Sequence, residues 1–134
     1  MLVLRILALA GLMLLGSCSY TFDIETRLID GQVTFVVAPD SRSKPGRSCV
    51  RTIMVGDDDG FVWQDHVTDP CGTRFPVVYG QPLRGAPDPD LADLKMAPRQ
   101  LRPGITYQVM ANAGIGYGEG RFRLTQDGRV ESLP

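Results

Sequence analysis

Two hydrophobic periods divide this chain. Met1 to Leu15 is apolar except for Arg5, with an unbroken apolar run from Ile6 to Leu15. A bilayer-spanning helix needs roughly 20 apolar residues, so this run is too short to cross. A charged start, a short apolar segment and then small residues, Gly16 and Ser17, form the pattern of a secretory signal peptide. Beyond it the period changes to two. Tyr20, Phe22, Ile24 and Leu28 alternate with Thr21, Asp23, Glu25 and Arg27, as on a half-buried strand. Asp30-Gly31 supplies a turn, and Val33, Phe35 and Val37 make the returning face of a hairpin. Cys49 to Val55 reads as a third strand, rich in β-branched residues. The turn Gly56 to Gly60 leads into a fourth, Phe61 to Val67. Phe75 to Tyr79 is a short strand in which Pro76 indicates an edge or a strand start. Ile105, Tyr107, Val109 and Ala111 alternate inward, Phe122 and Leu124 mark a strand over Arg121 to Thr125, and a last short strand ends at Pro134.

Between these strands lie polar stretches with candidate chemistry. Pro39 to Ser48 is a loop carrying Arg42, Lys44 and Arg47; with Arg51 these side chains either contact anionic headgroups or simply sit in solvent. Asp57-Asp58-Asp59 invites a calcium reading, but counting from Asp57 the twelfth residue is Thr68 rather than the glutamate an EF-hand loop requires. A tight turn rich in Asp and Gly accounts for the cluster. The single histidine, His66, neighbours Asp65, yet adjacent strand residues point to opposite faces. His66 is therefore expected at the surface or on an edge strand. No nucleophile, base and orienting group can be assembled around it, so no catalytic residue is assigned. Gly114 to Gly120 has glycine at every second place, but a dinucleotide fingerprint would need its third glycine where Glu119 stands. A glycine-rich hairpin tip, bulged or not, is expected there. Gly80 to Arg102 is the longest irregular stretch, with one or two helical turns expected over Pro89 to Met96. A loop of this length is usually functional. Leu83, Arg84, Leu91 and Leu94 are its candidate binding residues.

Leu15-Gly16-Ser17-Cys18 resembles the bacterial lipobox, in which a leucine and two small residues precede an invariant cysteine. The resemblance covers four residues directly after the apolar run. It implies a signal peptide over residues 1–17, cleavage before Cys18, a diacylglyceryl group on the Cys18 thiol and acylation of the new amino terminus. The thiolate is the nucleophile that this chemistry needs. Several acyl chains hold a protein on a membrane durably, whereas one holds it only marginally. In that family an aspartate after the cysteine favours inner-membrane retention; Ser19 stands here, which implies the outer membrane. Removing 17 of 134 residues leaves 117, one domain's worth, at 18–134. It also removes Arg5, leaving 13 basic residues (14 less one) against 15 acidic. Nucleic acid is not an expected partner on that balance. With Cys18 committed to lipid, Cys49 and Cys71 remain in an oxidising compartment, and a disulfide between them is expected. The loop of about 22 residues that it closes would stabilise the fold by about 3 kcal/mol. One histidine and two cysteines are too few for a zinc site, so no metal and no cofactor are expected.

Leu101 to Val109 (LRPGITYQV) resembles the corner segment of fibronectin type III and related immunoglobulin-like sandwiches, where a tyrosine hydroxyl bonds back to upstream backbone. Tyr107 takes that part. With about seven strands and almost no helical period, the fold expected after the cleaved signal helix is an all-β, immunoglobulin-like or fibronectin-like sandwich, with a small closed barrel as the alternative. The function expected is a lipid-anchored, non-enzymatic envelope protein that binds a partner protein or has a structural role. It would be held at the outer membrane through Cys18, facing the periplasm or the cell surface. The alternative is a small-ligand or glycan-binding module using residues 80–102, with aromatics such as Trp63, Tyr79 or Tyr117 in a concave site. A hydrolase ranks third.

Overall fold

A computed structural model of the protein describes residues 20–134, with only the backbone for residues 69–71. The signal segment and Cys18 lie outside the described residues. The domain is nearly all β: β1 (Tyr20–Ile29), β2 (Gln32–Val37), β3 (Val50–Asp57), β4 (Gly60–Cys71), β5 (Val77–Val78), β6 (Gly85–Pro87), β7 (Thr106–Ala113), β8 (Gly116–Leu124) and β9 (Val130–Leu133). They form one curled, mixed sheet in the order β5-β2-β1-β8-β7-β3-β4-β6, with β9 paired to β8. The expectation of about seven strands omitted β6, a three-residue strand without any hydrophobic alternation, and undercounted the long fourth strand, which runs on to Cys71.

The hairpin predicted at the start is present, with Asp30 at φ 50° and Gly31 at φ 76° in its turn. β1 then does something that its even alternation does not announce. Tyr20 to Asp23 pair in parallel with Gly116 to Glu119 of β8. Ile24 to Ile29 pair antiparallel with β2. One strand thus serves two parts of the sheet, and the curl closes around the side chains between them.

That interior holds Phe22, Ile24, Phe35, Val50, Ile53, Val55, Trp63, Tyr107, Val109 and Phe122, all buried. The Phe122 ring meets Tyr107 at 5.4 Å and Phe35 at 5.6 Å.

The alternating glycines are not a hairpin tip. Only Gly114 sits in the β7–β8 turn, while Gly116, Gly118 and Gly120 lie inside β8 on its inward face. A Cβ on Gly116 would stand 2.7 Å from the Tyr20 ring, on Gly118 2.2 Å from the Phe22 ring, and on Gly120 2.1 Å from the Ile24 carbonyl oxygen. The period-two glycines of β8 therefore match the period-two residues Tyr20, Phe22 and Ile24 of β1. They form a groove that receives the first strand, the close-approach role of glycine in a sheet.

Candidate functional site

The segment chosen from sequence as a binding loop is fastened along β4 at several points. The Leu83 N–H donates to Asp65 Oδ2 at 2.7 Å. Met96 and Gln64 exchange backbone hydrogen bonds of 3.0 and 3.2 Å, and the Arg99 N–H donates to the Val62 carbonyl at 2.9 Å. The Tyr79 hydroxyl donates to the Arg99 carbonyl at 2.6 Å. Burial pushes that phenol up to about 12, so it stays protonated and remains a donor. Only one helical turn forms, a 3₁₀ turn at Ala92–Leu94. Of the four candidate binding residues, Leu83 is a core residue, Leu91 is half-buried, and Arg84 and Leu94 are exposed. Leu83 is thus unavailable to a ligand; its apolar character serves packing.

Asp65 explains much of this. Its side chain is 2% exposed and accepts from the N–H groups of Leu83 and His66, with Lys95 Nζ 3.5 Å away. From sequence it stood out only as a neighbour of His66. No local pattern marks a carboxylate whose main partner lies 18 residues away.

His66 is 6% exposed, which corrects its expected surface position. Strand pairing with Thr52 and the strap of residues 88–97 enclose it. Its ring contacts Thr52 Oγ1 at 3.3 Å and Gln64 Oε1 at 3.4 Å, while Asp65 bonds its backbone instead. Burial lowers the imidazole pKa, outweighing the nearby Asp65 and Asp88 charges.

The remaining candidates fall in separate places. Asp57 Oδ1 accepts from the Asp59 N–H at 2.8 Å, the geometry of a side-chain-closed turn. Among the described residues, no group of three or more His, Cys, Asp or Glu side chains is placed to hold a metal. The Tyr107 hydroxyl, in a side chain 1% exposed, accepts from the Arg102 N–H at 2.9 Å. Trp63 is 2% exposed and packs its ring on Tyr79 at 5.3 Å, whereas Tyr117 points from the opposite face of the sheet. The three aromatics share no concave site.

What the fold does expose is the outer face of β8 and β7 and the adjoining part of β3, with Phe61 at its edge; farther along β4 the outward Gln64 and His66 are buried. Met54 pairs with Met110 at its centre, and Met110 with Glu119. Phe61 and Tyr117, 39% and 36% exposed, stand toward its two ends. A shallow cleft of about 290 Å³ on this face is lined by Phe61, Met110, Gln108, Arg121 and Asp58 among others. Two half-buried methionines and two exposed aromatic side chains among polar ones are residue types enriched at protein-binding surfaces.

Comparison with known proteins gives no matching family model, no matching characterised sequence and no matching solved structure.

Proposed function

We propose that this chain is a lipid-anchored protein of the bacterial envelope that binds a protein partner through the outer face of β8-β7-β3, with Phe61 at its edge, and carries out no catalysis. The lipobox-like segment ending at Cys18 supports the anchor, and Ser19 supports placement at the outer membrane with the domain facing the periplasm or cell surface. An immunoglobulin-like sandwich is the proposed family of fold. In its favour are one layer of β8-β7-β3-β4, another of β1-β2-β5, a first strand shared between them, and the Tyr107 hydroxyl bond to upstream backbone. A Cys49–Cys71 disulfide belongs to the same proposal. The Val50 N–H donates to the Thr73 carbonyl at 2.8 Å, which brings the backbone beside Cys49 against the backbone after Cys71.

The observation that carries the partner reading is the exposure of Phe61 and Tyr117 on the face that also carries Met54 and Met110. A ligand module working through residues 80–102 has less support, because Leu83 is buried in the core and Leu83, Met96 and Arg99 are fastened to β4. The test is recovery of envelope proteins by affinity capture. Phe61→Ser combined with Tyr117→Ser is expected to lower recovery of a reproducible partner roughly tenfold or more. Leu91→Ser with Leu94→Ser should leave it unchanged. The reverse result would move the function to the loop.

A further inference from the structure

We infer that the end of the domain from which β1 begins is a docking surface for anionic phospholipid headgroups. This rests on the anchor reading for its setting, though it is argued from the fold. The parallel pairing of Tyr20 with Gly116 puts the start of β1 at the β7–β8 turn. Val50 pairs with Ala113, so the β2–β3 loop arrives at the same end. Ser48 abuts Gly114 there, with its Oγ 2.7 Å from where a Gly114 Cβ would be. Arg74 donates through Nε to the Arg47 carbonyl at 2.7 Å, and the Arg84 N–H donates to Thr73 Oγ1 at 2.7 Å. Arg42, Lys44, Arg47, Arg74 and Arg84 are therefore gathered at one end. All five are exposed, and none forms an ion pair with a carboxylate among the described residues. Asp40 is the exposed carboxylate on the same loop. The Lys44 ammonium touches the Pro39 carbonyl at 3.1 Å, which leaves its charge uncompensated.

Beside these cations the β7–β8 turn presents Ile115, 62% exposed, the most exposed large hydrophobic side chain of the described residues. A bare aliphatic side chain at the same end as a group of cations suits a charged lipid interface: the cations meet phosphates while the aliphatic group enters the acyl boundary. The five cations outnumber the exposed carboxylates Asp23, Asp40 and Glu119 of the described residues near this end. Asp30, Asp57, Asp58, Asp59 and Asp127 occupy turns at the opposite end, where Arg99 and Arg102 lie beside Asp57 and Asp59, and Arg129 pairs with Asp127. Cys18 lies only two residues before Tyr20, so a lipid carried there holds this end, and no other, against the bilayer.

The test uses the chain from Ser19 to Pro134, its folding first established by a cooperative urea transition, and co-sedimentation with phosphatidylcholine vesicles prepared with or without phosphatidylglycerol. Salt-sensitive binding to the phosphatidylglycerol vesicles alone is expected. Arg42→Gln, Lys44→Gln and Arg47→Gln together should lower the partition coefficient roughly a hundredfold. Ile115→Ser should lower it several-fold, and Asp58→Asn with Asp59→Asn should not lower it. Absence of binding by the unmodified domain, equal binding to both vesicles, or binding indifferent to the triple substitution would overturn the inference. Because this domain lacks Cys18, vesicle binding stands or falls independently of lipid attachment. An unlipidated Cys18 in cells would sink the anchor alone.

Discussion

Gly120→Ala is expected to destabilise the domain by about 3 kcal/mol, at the upper end of what overpacking a core usually costs. The added Cβ would lie 2.1 Å from the Ile24 carbonyl oxygen, a backbone atom of a residue whose strand is paired to β2 on its other edge. Relief requires β1 to lift away from β8, which would loosen Phe22 and Ile24 in the core together. Gly118→Ala meets the Phe22 ring at 2.2 Å and should behave similarly, since that ring is 2% exposed and has nowhere to swing. Glu119→Ala is the control, because Glu119 alternates with these glycines on the outward face; a shift within about 0.5 kcal/mol is expected there. Urea unfolding of the three variants checks this. If Gly120→Ala unfolds at the midpoint of the unaltered protein, the groove between β8 and β1 does not exist as described.

Asp65→Ala should have an effect of similar size by a different route. It strips the acceptor from two backbone N–H groups, those of Leu83 and His66, inside a side-chain environment only 2% exposed. Hydrogen bonds to an ionised group contribute about 1.5–3 kcal/mol each, and the orphaned donors add their own desolvation penalty, so a loss of about 3 kcal/mol is expected. Lys95, at 3.5 Å with a half-exposed side chain, adds little to this. The readout that separates this from general damage is amide hydrogen exchange. Leu83 and the residues around Met96 should exchange faster, while β7 and β8 change only as much as global stability falls. Asp65→Asn, which keeps one acceptor oxygen, should fall between the two. Unaltered exchange at Leu83 would show that the strap of residues 80–102 is held by other contacts.

These two positions also show where reading the sequence succeeds and where it stops. The β1–β2 hairpin was legible because its turn chemistry and its alternation are both local: Asp30-Gly31 between Phe22-Ile24 and Phe35. The turn at Asp57 to Gly60 was legible for the same reason. β6 was not, since Gly85-Ala86-Pro87 is exposed throughout and owes its strand conformation to pairing with Val67 and Cys71. The glycines of β8 announced themselves by spacing, yet their meaning depended on β1, a strand from the other end of the chain. Leu83 looked like a loop residue because prolines and glycines surround it; only Asp65 and the core make it a buried one. His66 misled in the same way: its neighbours in sequence are polar, but the enclosing strap is not its neighbour. The outer face with Phe61, Met54, Met110 and Tyr117 was invisible too, because it takes one or two residues from each of four strands.

The mass of the amino-terminal peptide of the mature protein, isolated from whole cells, tests the proposed lipid anchor most directly. The expected result is a chain beginning at Cys18, with a diacylglyceryl thioether on its sulfur and an acyl group on its amine. A mature chain that begins at any other residue, or at an unmodified Cys18, would contradict it.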